Sequence, residues 1–218
     1  MSPFVAGPDG YEAWWEEAER RVLASIAREV AAMLRDQAGL PEPDPDGDAL
    51  AADTQSTGTE RVPDDPAARR LLPDASRDDD AVSAEFRHLT QTDLATAKVR
   101  GLERFADLLD GGEADDVEDD DDLDGDRALV AVPRDEARVV AAALTDVRLV
   151  VAQRLGLETD DEVETLHDEV LADVVAEDPE LGLDAEVRRY WGGVFVAAGF
   201  AQESLVSAML DDHRARHR

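Results

Sequence analysis

A chain of 218 residues, 43% of them hydrophobic, is long enough for one domain with a real core. Only 5% are aromatic, so that core must be built from Ala, Val and Leu, and the absence of cysteine excludes disulfides, thiolate chemistry and Cys-ligated zinc. The formal net charge of −31 repels nucleic acid and anionic membrane and favours solubility or basic partners.

Phe4 to Ala6 is expected to form a short strand, followed by the turn Pro8-Asp9-Gly10. From Glu12 to Gln37, apolar residues at Val22 or Leu23, Ile26, Val30 and Met33 recur at helical spacing, and Gly39 and Pro41 stop the helix. Residues 41–66 are rich in Pro, Asp, Gly, Ser and Thr and read as a solvated linker or disordered loop. A short helical piece, Ala67 to Leu72, ends at Pro73, and a modest helix is expected over Asp79 to Leu89. Thr90 and Asp93 then form a cap signal that starts or redirects a helix running to Leu109, ended by Gly111-Gly112. Residues 111–126 form an acidic loop.

The stretch from Arg127 to Leu157 organises the rest. It reads as a strand, a turn at Pro133, and one strongly apolar helix ended by Gly156. The order strand, Pro-containing turn, Glu-Ala, helix also occurs at the N-terminus (FVAGPDGYEA against LVAVPRDEA). Read as a repeat, it pairs the two short strands and lays their helices side by side; read as coincidence, it implies nothing. Thr159 and Glu162 cap a helix reaching about Ala176, and a last helix runs from near Asp184 to near Leu210 on a stripe of Val187, Trp191, Val194, Ala198, Leu205 and Met209. Residues 212–218 read as a frayed basic tail. The expected fold is an all-α bundle of five or six helices in a single domain, with at most one short two-stranded β ribbon.

No catalytic pattern stands out. Phosphate loops, nucleophile elbows and nucleophile–histidine pairs are missing, so the chain is not expected to be an enzyme and no cofactor is expected. Asp120-x-Asp122-x-Asp124-Gly125 matches half a calcium loop, but position twelve is Ala131 where a bidentate Glu is needed. Two Glu-x-x-His pairs, Glu85 with His88 and Glu164 with His167, suggest a di-iron bundle, yet His88 falls off its helix's apolar face. Lys98, the sole lysine, lies mid-stripe among Leu94, Leu102 and Phe105 and must be paired or snorkel; Asp146 and Asp93 are candidate partners. A helix-registering ion pair is the preferred reading over a Schiff-base or general-base lysine. Arg148 and Arg154 either bind a partner's acids or satisfy the chain's own carboxylates. Gly192, Gly193 and Gly199 leave flanks on the last helix where a neighbour could approach, homodimerisation included. Direct nucleic-acid binding is not expected, because no basic face exists. Trp191 to Ala201 reads as too short and too Gly-rich for a bilayer span, and Ser2 to Tyr11 lacks the features of a secretory signal; the chain reads as cytoplasmic.

Three segments carry a family resemblance: LLPDA with EFRHLTQTDLATAKVRGLERF, ALTDVRLVVAQRLGLETDDE, and YWGGVFVAAGFAQESLVSAML. Their order and spacing resemble an actinobacterial family of uncharacterised-domain proteins that includes the oxidative-stress-responsive regulator AosR. The resemblance implies a cytoplasmic helical protein that is not an enzyme and assists transcription under stress by contacting a sigma factor or RNA polymerase. Genes of the family commonly sit near the Clp adaptor ClpS, which raises an accessory role in Clp-dependent proteolysis as an alternative. A metal-dependent enzyme using inward carboxylates and His167 is the alternative from a different class. Asp93, Lys98, Asp146, Arg148, Arg154, Gln202 and Glu203 match motif positions of the family without assigned roles. One departure matters: with no cysteine, this chain cannot sense oxidants through a disulfide.

Overall fold

Alternating burial, rather than helical periodicity, governs the start of the chain. In the computed structural model, which describes residues 1–41, 62–73, 90–111, 113–114, 127–173 and 183–217, strand β1 (Val5–Ala6) turns into strand β2 (Gly10–Glu16). Tyr11, Ala13 and Trp15 of β2 point inward and Trp14 and Glu16 outward, the period of two that a half-buried strand requires. Glu12 to Glu16 is therefore strand, not the first turn of a helix. Helix α1 (Glu17–Ala38) begins only after it, where Glu16 and Glu19 form a reciprocal capping box.

Five further helices follow among the described residues: α2 (Pro66–Leu71), α3 (Thr92–Asp110), α4 (Ala137–Leu155), α5 (Asp160–Asp173) and α6 (Leu183–Arg216). Strands β3 (Glu113–Ala114) and β4 (Arg127–Pro133) lie between α3 and α4. The fold is mostly helical with a short β element, as expected from the sequence. That element is wider than a ribbon: an antiparallel sheet in the order β1-β2-β4-β3. Its long pair is β2 with β4, registered Tyr11 to Val132, Ala13 to Val130 and Trp15 to Ala128, so inward residues face each other across the strands. The pairing expected between Phe4–Ala6 and the later strand is thus taken by β2, which lies between β1 and β4. The supposed N-terminal repeat fails because its second half continues as strand where the later copy becomes helix.

The core runs through the middle of the helices. Helix α4 touches α1, α2, α3 and α6, while α1 packs mainly on α3. Trp15 is fully buried, its ring meeting Phe4 edge-on at 5.3 Å and its Nε1–H donating to the Ser2 carbonyl at 3.1 Å. Gly39 and Gly156 close α1 and α4 in the left-handed conformation, at φ 62° and 69°, which lets the following amides bond back to the last turn. Thr90 and Gln91 form a π-helical turn that leads directly into α3, whose N-cap residue Gln91 already has helical backbone angles. At α5 the capping box is real: the Glu162 carboxylate accepts from the Glu158 and Thr159 amides at 2.7 and 2.9 Å.

Helix α6 differs from its expectation. It continues as helix to Arg216, with Arg214 paired to Asp211 and Arg216 to Asp212, where fraying was expected. The apolar part is also longer than Trp191 to Ala201, since one 18-residue window has mean hydropathy 1.4 and passes, by length and composition alone, for a membrane span. The expected helix over Asp79–Leu89, the half calcium loop at Asp120 to Gly125, the Glu85–His88 pair and most of the 41–66 linker lie outside the described residues.

Candidate functional site

The polar residues singled out by the motifs gather around α4. Asp146, 3% exposed, sits on the face of α4 turned to α3, and Lys98 Nζ donates to its Oδ1 at 2.5 Å. Burial pushes the Asp146 carboxyl above the ordinary aspartate value, and the Lys98 ammonium partly offsets that rise. The lysine is thereby committed to a helix-registering ion pair. Asp93 takes no part in it: exposed in the first turn of α3, it faces solvent beside the positive end of the helix.

Two residues further along α4, Arg148 turns to the other side and meets α6. Its Nη1 donates to Gln202 Oε1 at 2.7 Å, and its guanidinium stands 5.2 Å from the centre of the Phe195 ring. The Gln202 amide in turn donates to Thr145 Oγ1 at 2.6 Å, and that hydroxyl donates to the Ala141 carbonyl at 2.9 Å. Arg148 Nε is buried without an acceptor. In a chain with more than two acids per cation, this arginine is held by an amide and an aromatic ring, and among the described residues no carboxylate is bonded to it.

Arg154, at the C-terminal end of α4, reaches Asp65 Oδ2 at 2.5 Å and Met33 Sδ at 3.8 Å. Asp65 also N-caps α2, its Oδ1 accepting from the Ala67 amide at 2.7 Å. Burial works to raise this carboxyl, but Arg154 and the amides of Ala67 and Ala68 outweigh it and hold it below the ordinary value.

Arg148 and Gln202 form the inner wall of an open cleft of about 560 Å³ between α4, α5 and α6. His167, from α5, forms another wall, its ring edge-on to Phe195 at 6.2 Å. Val196, Gly199, Phe200, Glu203 and Val206 complete it from α6. The cleft is more apolar than its three charged or titratable side chains, Arg148, His167 and Glu203, suggest. Among the described residues no three His, Asp or Glu are grouped to hold a metal ion; Glu164 is exposed while His167 turns into the cleft, so this Glu-x-x-His pair does not converge. Small residues let the elements approach here: a Cβ on Gly192 would sit 2.9 Å from Val170 Cγ2 and 3.0 Å from Leu166 Cδ1. The close neighbours of Gly192 and Gly199 are side chains, not backbone, and Gly193 has open space around it.

The motifs pointed to Lys98 and Asp146, which meet on the α3 side of α4, to Arg148, Gln202 and Glu203, which line the cleft on its α6 side, and to Arg154 at its C-terminal end. They missed Thr145 and Phe195, which position Gln202 and Arg148, and the exposed apolar pair Phe200 and Val206. Only the sustained hydropathy of the last helix signalled the latter pair. Searches of curated proteins and of solved structures gave no match. A family model described as a domain of unknown function, DUF2017, matches residues 1–209, and the chain belongs to that family.

Proposed function

We propose that the protein is a non-enzymatic, cytoplasmic regulator that works by protein–protein contact, with a sigma factor or RNA polymerase as the partner. The observation that carries this reading is how the polar residues are used. Lys98, Arg148 and Arg154 each spend their hydrogen bonds on the chain's own helices, whereas Phe200, Val206 and Leu210 stand exposed. A site arranged this way has the anchors of a binding surface, and among the described residues lining its cleft there is no serine, threonine, cysteine or lysine to act as a nucleophile beside His167 and Glu203. The choice of transcription machinery rests on the likeness of the three motif segments to the AosR family. The charge of −31 suits a partner whose nucleic-acid-binding faces are basic, and would speed its association. The absence of cysteine means that any stress signal reaches this chain by a route other than its own disulfide.

The test is an affinity pull-down from native cytoplasm at low salt, with partners identified by mass spectrometry and then titrated with salt. Recovery of a sigma factor or polymerase, with affinity falling as ionic strength rises, is the expected result. Recovery of neither, or binding indifferent to salt, overturns the reading.

A further inference from the structure

Helix α6 is apolar beyond what the core uses. Its inner stripe of Val194, Ala198, Ala201 and Leu205 is sealed against the rest of the fold. Only 33% of its most apolar 18-residue window is buried, however. On the outer side Val196, Phe200, Glu203, Val206 and Leu210 follow one another at steps of four, three, three and four, with Phe200 41%, Val206 38% and Leu210 51% exposed. Glu203 is the charged residue within that row. The row borders the cleft described above, so the surface is a ridge of apolar side chains beside a depression.

Helix α5 supplies the other side. Leu166 and Val170 pack on Gly192, and His167 packs on Phe195, which fixes α5 alongside α6. The α5 sequence contains no lysine or arginine. Asp160, Asp161, Glu164 and Asp168 are all exposed on it, and no ion pair in the described structure engages them. An apolar floor beside a wall of free carboxylates selects its occupant by both hydrophobicity and charge. A second copy of the chain would bring its own charge of −31 and the same acidic wall to the contact. An anionic lipid surface is repelled for the same reason.

We infer that the outer face of α6, walled by α5, is a docking groove for a basic amphipathic helix of a partner protein. The inference names the surface of the protein–protein contact proposed above and rests on such a contact existing. It does not depend on the partner belonging to the transcription machinery. The partner helix lays apolar residues three and four apart over Val196, Phe200, Val206 and Leu210, and its flanking Lys or Arg meet the carboxylates of α5.

The probe is a labelled Leu/Lys peptide of roughly 18 residues, long enough to form a helix, with all its leucines on one face. Its controls are the same composition shuffled to destroy the face, and a Leu/Glu version. Binding to the full chain is read by fluorescence anisotropy. The faced Leu/Lys peptide is expected to bind about tenfold tighter than the shuffled one, and the combined Phe200→Ser and Val206→Ser variant to lose about tenfold. Trp14→Ser, which removes an exposed aromatic from the outer side of the sheet, is expected to change nothing. Equal binding of the shuffled peptide, or full binding by the Phe200/Val206 variant, reduces the effect to bulk charge attraction and overturns the groove. Dimerisation of the wild type that the variant abolishes, or capture of zwitterionic vesicles that the variant loses, assigns the face to another occupant and also overturns it. The two readings part in the pull-down. Polymerase recovered equally by wild type and variant sinks the groove alone; the expected peptide results without polymerase or sigma factor sink the transcription reading alone.

Discussion

Helices α4 and α6 are both apolar in sequence, lie against each other, and meet opposite fates. On α4 only Arg138, Val139, Ala142 and Arg154 are exposed, because α1, α2, α3 and α6 surround it. On α6 one stripe is buried and much of the remaining apolar surface faces outward. Hydropathy therefore identifies both as favourable to bury, but coverage by neighbours decides which is core and which is a candidate interface.

The sharpest way to break that comparison is to trim one apolar side chain on each helix. Leu144, with no exposure, lies inside α4, and Leu144→Ala is expected to cost about 2–5 kcal/mol in urea unfolding. Leu210→Ala on α6, where half the side chain is already solvated, is expected to stay within about 0.5 kcal/mol. A loss above about 1 kcal/mol at Leu210 would show that its face is already covered, and the contrast between the helices would collapse.

Polar residues sharpen the same point. Lys98→Ala strands the Asp146 carboxylate between α3 and α4, and the expected loss is about 3 kcal/mol. The apolar replacement Lys98→Met with Asp146→Leu is expected to restore most of it, because the pair costs desolvation that two apolar residues avoid. The pH dependence has a definite sign. The folded Asp146 carboxyl is raised above its unfolded value, so the folded state holds the proton more tightly. Its contribution is greatest below the ordinary carboxylate range and declines as pH rises through the folded value. Comparing wild type with Asp146→Asn across that range isolates the term; a difference that grows in the opposite direction would refute the assignment.

The glycines of α6 give a smaller, two-sided test. Gly192→Ala drives a Cβ to 2.9 Å from Val170 and should cost about 1–2 kcal/mol, loosening α5. Gly193→Ala meets nothing within 4 Å and should gain up to about 1 kcal/mol from helix propensity. Thermal unfolding that moves both variants the same way would contradict the packing described.

Much of this was readable beforehand, and the failures have physical causes. The 127–157 segment was legible because strand, turn, apolar run and terminal glycine all agree locally, and the need to pair Lys98 followed from a lone cation on an apolar stripe, although the choice of Asp146 over Asp93 came only from the packing of α3 on α4. The β2 strand was missed because Tyr11-Glu-Ala-Trp-Trp-Glu16 also suits the start of a helix, and only pairing with β4, more than a hundred residues away, makes it a strand. The cleft was half legible. Arg148 and Gln202 stood out as motif residues, but their convergence depends on how α4 and α6 cross, which no local pattern encodes.

The smallest effect is expected at the far end of α4, where Arg154 is half exposed and its pair with Asp65 lies at the rim. A screened surface pair contributes about 0–1 kcal/mol, so Arg154→Ala should hardly move the unfolding midpoint. Asp65 does more than pair, since it caps α2, and the two roles separate by substitution. Asp65→Asn keeps an oxygen for the Ala67 amide and loses only the charge, whereas Asp65→Ala loses the cap as well, at about 1 kcal/mol. The pH signature is opposite to that of Asp146. The folded Asp65 carboxyl lies below its unfolded value, so its stabilisation is present above the ordinary carboxylate range and is lost as pH falls through the folded value. Two aspartates joined to the same helix should therefore pull stability in opposite directions on acidification, the buried one upward and the rim one downward. If Asp65→Asn and Asp146→Asn alter the pH profile with the same sign, the division of α4 into a desolvated middle and a solvated end is wrong.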